Sequence, residues 1–275
     1  MFKKLCSLIV LFAIIFSFTQ CETEPIDPKL AAAATGNTPP PAVNPNIPII
    51  TNPSGDFFPM QINYSWNYDN GIAISNFKIN NTETFATTSY FKTNRAVIGY
   101  DEAIFSEANV TSHIRKDAGS YFQRIFINRP EIVAKPAMGT TPAVVGVPGV
   151  IVQPYIIQFF KDNMAVGDTY NQSIPLAITT KTTTTQVINS QMTVVVSNVN
   201  STATVTYDIT CVEKTPNIFV NGYLTNVVKT KTVSSANTDI IYTWYAKDIG
   251  IWKQTKTNAA GVVTNFQNLT TITLD

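Results

Sequence analysis

Charge, histidine and cysteine are all scarce in this chain. Charged side chains make up 13% of its 275 residues, with 19 basic against 18 acidic. No basic block occurs, so the electrostatic footprint that nucleic-acid binding requires is missing, and no nucleic-acid partner is expected. His113 is the one histidine, and nothing around it forms a metal-ligand repeat. There is no Gly-rich phosphate loop, G-x-S-x-G elbow or paired-cysteine motif, so no cofactor, metal or catalytic residue is assigned. The long hydrophobic run, residues 8–16, lies at the extreme N-terminus behind Lys3 and Lys4. It is shorter than a membrane span and reads as an export signal.

Residues 1–20 are therefore expected to be cut away. The segment ending Phe18-Thr19-Gln20-Cys21 resembles a bacterial lipoprotein signal. That resemblance implies that the Cys21 sulfur carries a diacylglycerol and its new amine an acyl chain. Each buried methylene would contribute about 0.8 kcal/mol, enough for durable anchoring without a spanning helix. The competing reading is a secreted protein cut near Ala32–Ala34. The implied partner is membrane lipid held through acylated Cys21, and the implied location is a bacterial outer membrane, on either face.

Residues 21–56 are rich in Pro, Asn and Ala, with Pro39, Pro40, Pro41, Pro45, Pro48 and Pro53. Few apolar groups and few backbone donors predict an extended linker. After cleavage only Cys21 and Cys211 remain, which excludes a disulfide framework. Stability must come from a packed core in residues 57–275, read as one β-rich domain with a Pro/Gly-rich insertion at 130–154. Its prolines cannot complete a central ladder, so the insertion should lie at an edge or cross over the domain.

The rest is strand and turn. Ile62, Tyr64, Trp66 and Tyr68 alternate with polar residues, and Asp69-Asn70-Gly71 supplies a tight turn. The parity change from Ile72 and Ile74 to Phe77 and Ile79 predicts either a bulge near Ser75-Asn76 or a different register for this strand. Segments 110–114 and 121–127 flank a turn expected at 115–119, with its charges in the loop. Ala203, Val205, Tyr207, Ile209 and Cys211 face one way against Thr202, Thr204, Thr206, Asp208 and Thr210. Cys211 is read as core. Gly222 is read as a bend within a strand. The closing strand places Val262, Phe266, Ile272 and Leu274 on one parity.

Short motifs along the domain resemble small β-rich lipoproteins of the Bacteroidetes. They are Phe57-Phe58-Pro59 with Trp66-Asn67-Tyr68, Val166-Gly167-Asp168, Asn221-Gly222-Tyr223, and Tyr245-Ala246-Lys247-Asp248-Ile249-Gly250 with Asp248 where glycine is common. The resemblance implies a strongly curved antiparallel sheet or an incomplete β-barrel related to lipoprotein carrier folds. A sandwich is the other all-β arrangement open to the chain.

The expected function is a membrane-tethered, noncatalytic envelope lipoprotein with a binding or structural role. The alternative is a surface glycan- or lipid-binding protein, with an envelope protein as a further possible partner. Tyr64, Trp66, Tyr242, Trp244 and Trp252 are the candidate ligand-binding aromatics, each able to serve as core instead. A hydrolase built around His113 is a remote alternative that needs converging polar groups. Calcium at Asn67, Asp69 and Gly71 is weaker than a hairpin reading of the same residues.

Overall fold

The computed structural model describes residues 54–97, 109–135, 145–188, 191–236 and 238–274. The signal peptide, Cys21 and the linker up to residue 53 lie outside the described residues. So do 136–144 of the Pro/Gly-rich insertion.

Twelve strands follow one another: β1 Ser65–Asp69, β2 Ile74–Phe85, β3 Thr88–Thr93, β4 Asn109–Asp117, β5 Ser120–Arg129 and β6 Gly149–Lys161, then β7 Thr169–Ile188, β8 Gln191–Val220, β9 Tyr223–Ser234, β10 Ile240–Ala246, β11 Gly250–Thr257 and β12 Val263–Thr273. Each pairs antiparallel with its neighbours in sequence, and β1 pairs with β12 from Ser65↔Thr273 to Asp69↔Asn268. The all-β, curved antiparallel expectation is met, and the curvature goes to full closure as a barrel.

Alternation along each strand separates wall from interior. Trp66 and Tyr68 point inward from β1, facing Phe77 and Ser75 on β2, while Asn67 points out against Asn76. Tyr121, Gln123, Ile125 and Ile127 point inward from β5. Cys211 is a buried free thiol, raised above its ordinary pKa by burial.

One end of the barrel is closed by the residues before β1. Phe58 stacks on Trp66 and meets Phe77 and Phe159 edge-on, and Phe57 meets Phe160. Asp56 bonds the inward Lys116, which also binds Asp162 at 2.6 Å. Burial alone would lower the lysine pKa, but the hydrogen bonds it donates to Asp162 and Asp56 outweigh it and hold Lys116 above the usual range. The opposite end carries the longer connections and the β7–β8 ribbon.

Several expectations are corrected. The first strand begins at Ser65, not Ile62, because Asn63 sits at φ 75°. No bulge occurs between β1 and β2; Ile74 is 70% exposed and simply faces out. Arg115, Lys116 and Asp117 are in β4, and the turn is Ala118-Gly119, both at positive φ as a two-residue hairpin demands. Asn221-Gly222 makes the same kind of turn between β8 and β9 rather than a bend within one strand. The insertion becomes strand at Gly149, so Pro154 lies within β6. In β12 a register shift against β1 turns Leu269 and Ile272 inward, and Val262 and Val263 are exposed.

Pro154 has a further effect. The β6–β7 ladder runs only from Gly149↔Lys181 to Val152↔Ile178. Beyond it stand Pro154 and, on β7, Pro175, neither of which has an N–H to donate. The Gln172 side chain bridges the gap, accepting from Gln158 N and donating to Gln158 O, both at 2.7 Å.

Candidate functional site

The inward faces of the strands differ along the barrel axis. The closed end is aromatic, with Trp66, Phe77, Tyr121, Phe159, Phe160 and Tyr245. Toward the other end the lining becomes short and polar, through Thr93, Ser112, Thr230, Thr232 and Thr243. A twelve-strand ring encloses more cross-section than the roughly eight strands that side chains alone can fill. Thr93, Ser112, Thr230, Thr232 and Thr243 are themselves buried, so this polar lining is packed against its neighbours.

Arg95 heads this polar region. It follows β3 by two residues, and the chain there is pinned on both sides. The Asn94 side chain accepts from Lys78 N at 2.7 Å and donates to Asn76 O at 2.9 Å. Two residues further on, Val97 N donates to Gln123 Oε1 at 2.8 Å. Arg95 Nη1 donates to Ser75 Oγ and Nη2 to Gln267 Oε1, each at 2.8 Å. Gln267 Nε2 donates to Gln254 Oε1 at 2.9 Å, and Gln254 Nε2 to Thr243 Oγ1 at 3.1 Å. A relay thus crosses β2, β12, β11 and β10. Ser75, Arg95, Gln254 and Gln267 keep partial exposure, while Thr243 at its end is buried.

Among the described residues no carboxylate pairs with Arg95; its acceptors, Ser75 Oγ and Gln267 Oε1, are both neutral. A guanidinium has five donors in a planar fork matched to carboxylate and phosphate. Tyr68, which pairs with Ser75 on one side and Leu269 on the other, is near enough to feel the guanidinium charge. The partly exposed guanidinium can receive an anionic group.

The five candidate aromatics do not form one platform. Trp66 is wholly buried in the core, with Tyr64 against its edge at 6.4 Å. Tyr242 and Trp244 stand on the outer wall of β10. Lys229 Nζ lies 4.7 Å and Lys253 Nζ 5.1 Å from the Trp244 ring centroid, so sugar stacking would have to displace lysines already placed there. Trp252 is half-buried and packs against the core.

His113 is on the outer wall too. Its Nε2 is 2.9 Å from Glu83 Oε2, and Lys92 binds the other Glu83 oxygen at 2.7 Å. Phe85 covers the ring edge-on, Arg124 lies over Phe85, and Nδ1 is buried without a partner. Ser112, the adjacent hydroxyl, points to the interior. Among the described residues no hydroxyl or thiol is hydrogen-bonded to the imidazole; a buried His113 instead meets the partly exposed Glu83–Lys92 ion pair. Asp69 Oδ1 accepts from Gly71 N and Asn67 Oδ1 from Asn76 Nδ2, each at 2.8 Å, so the side-chain oxygens considered for calcium are engaged within their own hairpin.

Two motif positions acquire a physical reason. Gly167 sits at φ 93°, and Asp168 Oδ2 accepts from Ala165 N, closing the turn before β7. Asp248, at φ 66°, occupies a left-handed position that favours glycine. Arg95 itself gave no sequence signal, since Ser75 and Gln267 reach it from opposite ends of the domain. No protein-family description, curated protein or solved structure matches this chain.

Proposed function

We propose that this chain is a noncatalytic envelope lipoprotein whose barrel binds the anionic head of an amphiphilic ligand at Arg95. The observation that supports binding is the Arg95 guanidinium, partly exposed, pinned at the polar end of the barrel and hydrogen-bonded to two neutral acceptors. Charge-assisted pairing to a carboxylate or phosphate is the stronger interaction for which that fork is suited.

Attachment through acylated Cys21, by the lipoprotein-like signal, is part of the same reading. The outer wall carries Asn67, Asn76, Lys78, Lys229, Lys231 and Lys253 at outward positions. A lysine on a lipid-facing wall costs about 2–4 kcal/mol at the bilayer midplane. Such a wall suits a barrel held at a membrane by a lipid anchor rather than one that crosses it. Placement at the outer membrane belongs to the same proposal.

The test is displacement of a fluorescent fatty acid by decanoate and by decanol. Decanoate should bind wild-type protein at least about tenfold more tightly than decanol, and Arg95→Gln should remove that difference. Equal affinity for both in the wild type, or an unchanged preference in the variant, would overturn the reading.

A further inference from the structure

The β7–β8 ribbon runs past the barrel that it helps to build. Its two strands stay in register from Thr169↔Thr210 to Ile188↔Gln191. The neighbours stop earlier: β6 reaches only Lys181, and β9 reaches only Tyr207. Beyond those points the ribbon is two strands wide, a form with little stability of its own in water.

Its two edges are not equivalent. On the β7 edge, Glu131 accepts from Thr183 N and, at 2.9 Å, from Thr183 Oγ1. Among the described residues, the β8 edge from residue 191 to residue 205 has no strand beside it. Gly167 N donates to Cys211 O and Cys211 N to Asp168 O, so the Cys211 main chain faces β7. Thr206, of opposite parity, faces away and bonds Ser235. With no register shift between β7 and β8, the main-chain groups at 192, 194, 196, 198, 200, 202 and 204 all face the free edge.

Nothing guards that edge. Lysine, proline, inward charge or a bulge usually blocks such a template. Here no charged residue occurs between Lys181 and Asp208, and β8 has no proline before Pro216. The outward parity also changes character. It carries Thr210, Asp208, Thr206, Thr204 and Thr202 along the barrel, then Val196 and Val194 on the projecting part, at 52% and 64% exposure.

We infer that the projecting ribbon is a self-association arm, with β8 pairing edge to edge with β8 of a second copy of this chain. An uncharged arm offers nothing to select a charged partner and no repulsion toward its own copy. In the barrel the one gap between described strands, β6–β7, holds Pro154 and Pro175 and is bridged by Gln172, whereas a second copy brings the same bare β8 edge. Antiparallel pairing about a two-fold axis sets even residues opposite even residues. The Val194 and Val196 rows of both copies then share one face of a four-stranded sheet.

The test is sedimentation of the full chain in a non-ionic detergent. Wild type should form a concentration-dependent dimer, and so should Ile74→Lys, a substitution on the exposed wall away from the arm. Val194→Lys/Val196→Lys and, separately, Val196→Pro should sediment as monomers, with the dimer dissociation constant raised at least about tenfold. Both lysines fall at exposed positions, so that variant carries the test should the proline variant fail to melt cooperatively. A monomeric wild type, a wild-type dimer unmoved by the lysines, or a monomer that associates only with a different protein would overturn the assignment.

Discussion

Trp66 lies against Gly250 so closely that a Cβ at position 250 would stand 2.9 Å from the indole Nε1. That nitrogen donates to Ile249 O, and Gly250 itself sits at φ 103°. Gly250→Ala therefore meets two penalties, a backbone conformation foreign to alanine and an overpacked tryptophan. It should lower unfolding free energy in urea by about 2–4 kcal/mol. A loss below 1 kcal/mol, by the same scale, would mean that β11 can shift away from Trp66 at little cost.

Lys116 holds the plugged end together by joining Asp56 and Asp162. Lys116→Met should destabilise the fold by about 1–3 kcal/mol, because two carboxylates then face each other without a cation. Adding Asp56→Asn should recover part of that loss. Additive losses in the double variant, measured by thermal melts, would contradict the coupling.

The His113 cluster predicts acid sensitivity. Burial pushes the His113 pKa below its ordinary value of 6.5, with Arg124 and Lys92 acting the same way, and Glu83 only partly opposes them. The unfolded chain then takes up a proton before the folded one does. Stability should fall as pH drops from about 6.5 toward the depressed folded value, then level off. Glu83, held below the usual carboxylate range first by Lys92 and then by His113, adds a further loss at lower pH. His113→Gln should flatten the melting temperature between pH 7.5 and 5.5. A wild type that gains stability on acidification in that window would show that the imidazolium–Glu83 pair outweighs burial.

At the β6–β7 gap a single side chain replaces several ladder bonds. Gln172→Ala should speed hydrogen exchange at Gln158 N by at least about tenfold, a change on the order of 1.4 kcal/mol in local opening. Exchange at Ile209, on the fully paired part of β8, should stay the same. Unchanged protection at Gln158 would show that β6 and β7 close without the amide bridge.

Mass spectrometry of mature protein from its own envelope checks the tether. The N-terminus should be Cys21, with its amine and sulfur both acylated. An unmodified thiol, or an N-terminus near Ala32, would replace the anchor with secretion.

What could be read from the sequence was what depends on neighbours along a strand. The alternation assigned the buried row Tyr207, Ile209 and Cys211, because one side of the wall is dry and the other wet, whereas Ala203 on the same parity is exposed. Apolar pattern misled at Ile72 and Ile74, where exposed residues imitated an inward row. Glycine misled at Gly222, since a bend and a two-residue turn need the same backbone freedom. Barrel closure was out of reach, because it depends on Trp66 meeting Ile272 across almost the whole domain. Arg95 was hidden for the same reason. Its partners, Ser75 and Gln267, come from the second and the last strands.

The most direct measurement is native mass spectrometry of wild-type and Arg95→Gln protein released gently from membranes. The wild type should carry an additional noncovalent anionic mass that is lost from the variant, with both retaining the same covalent mass at Cys21. The same bound mass on both proteins, or none on the wild type, would contradict a ligand held by Arg95.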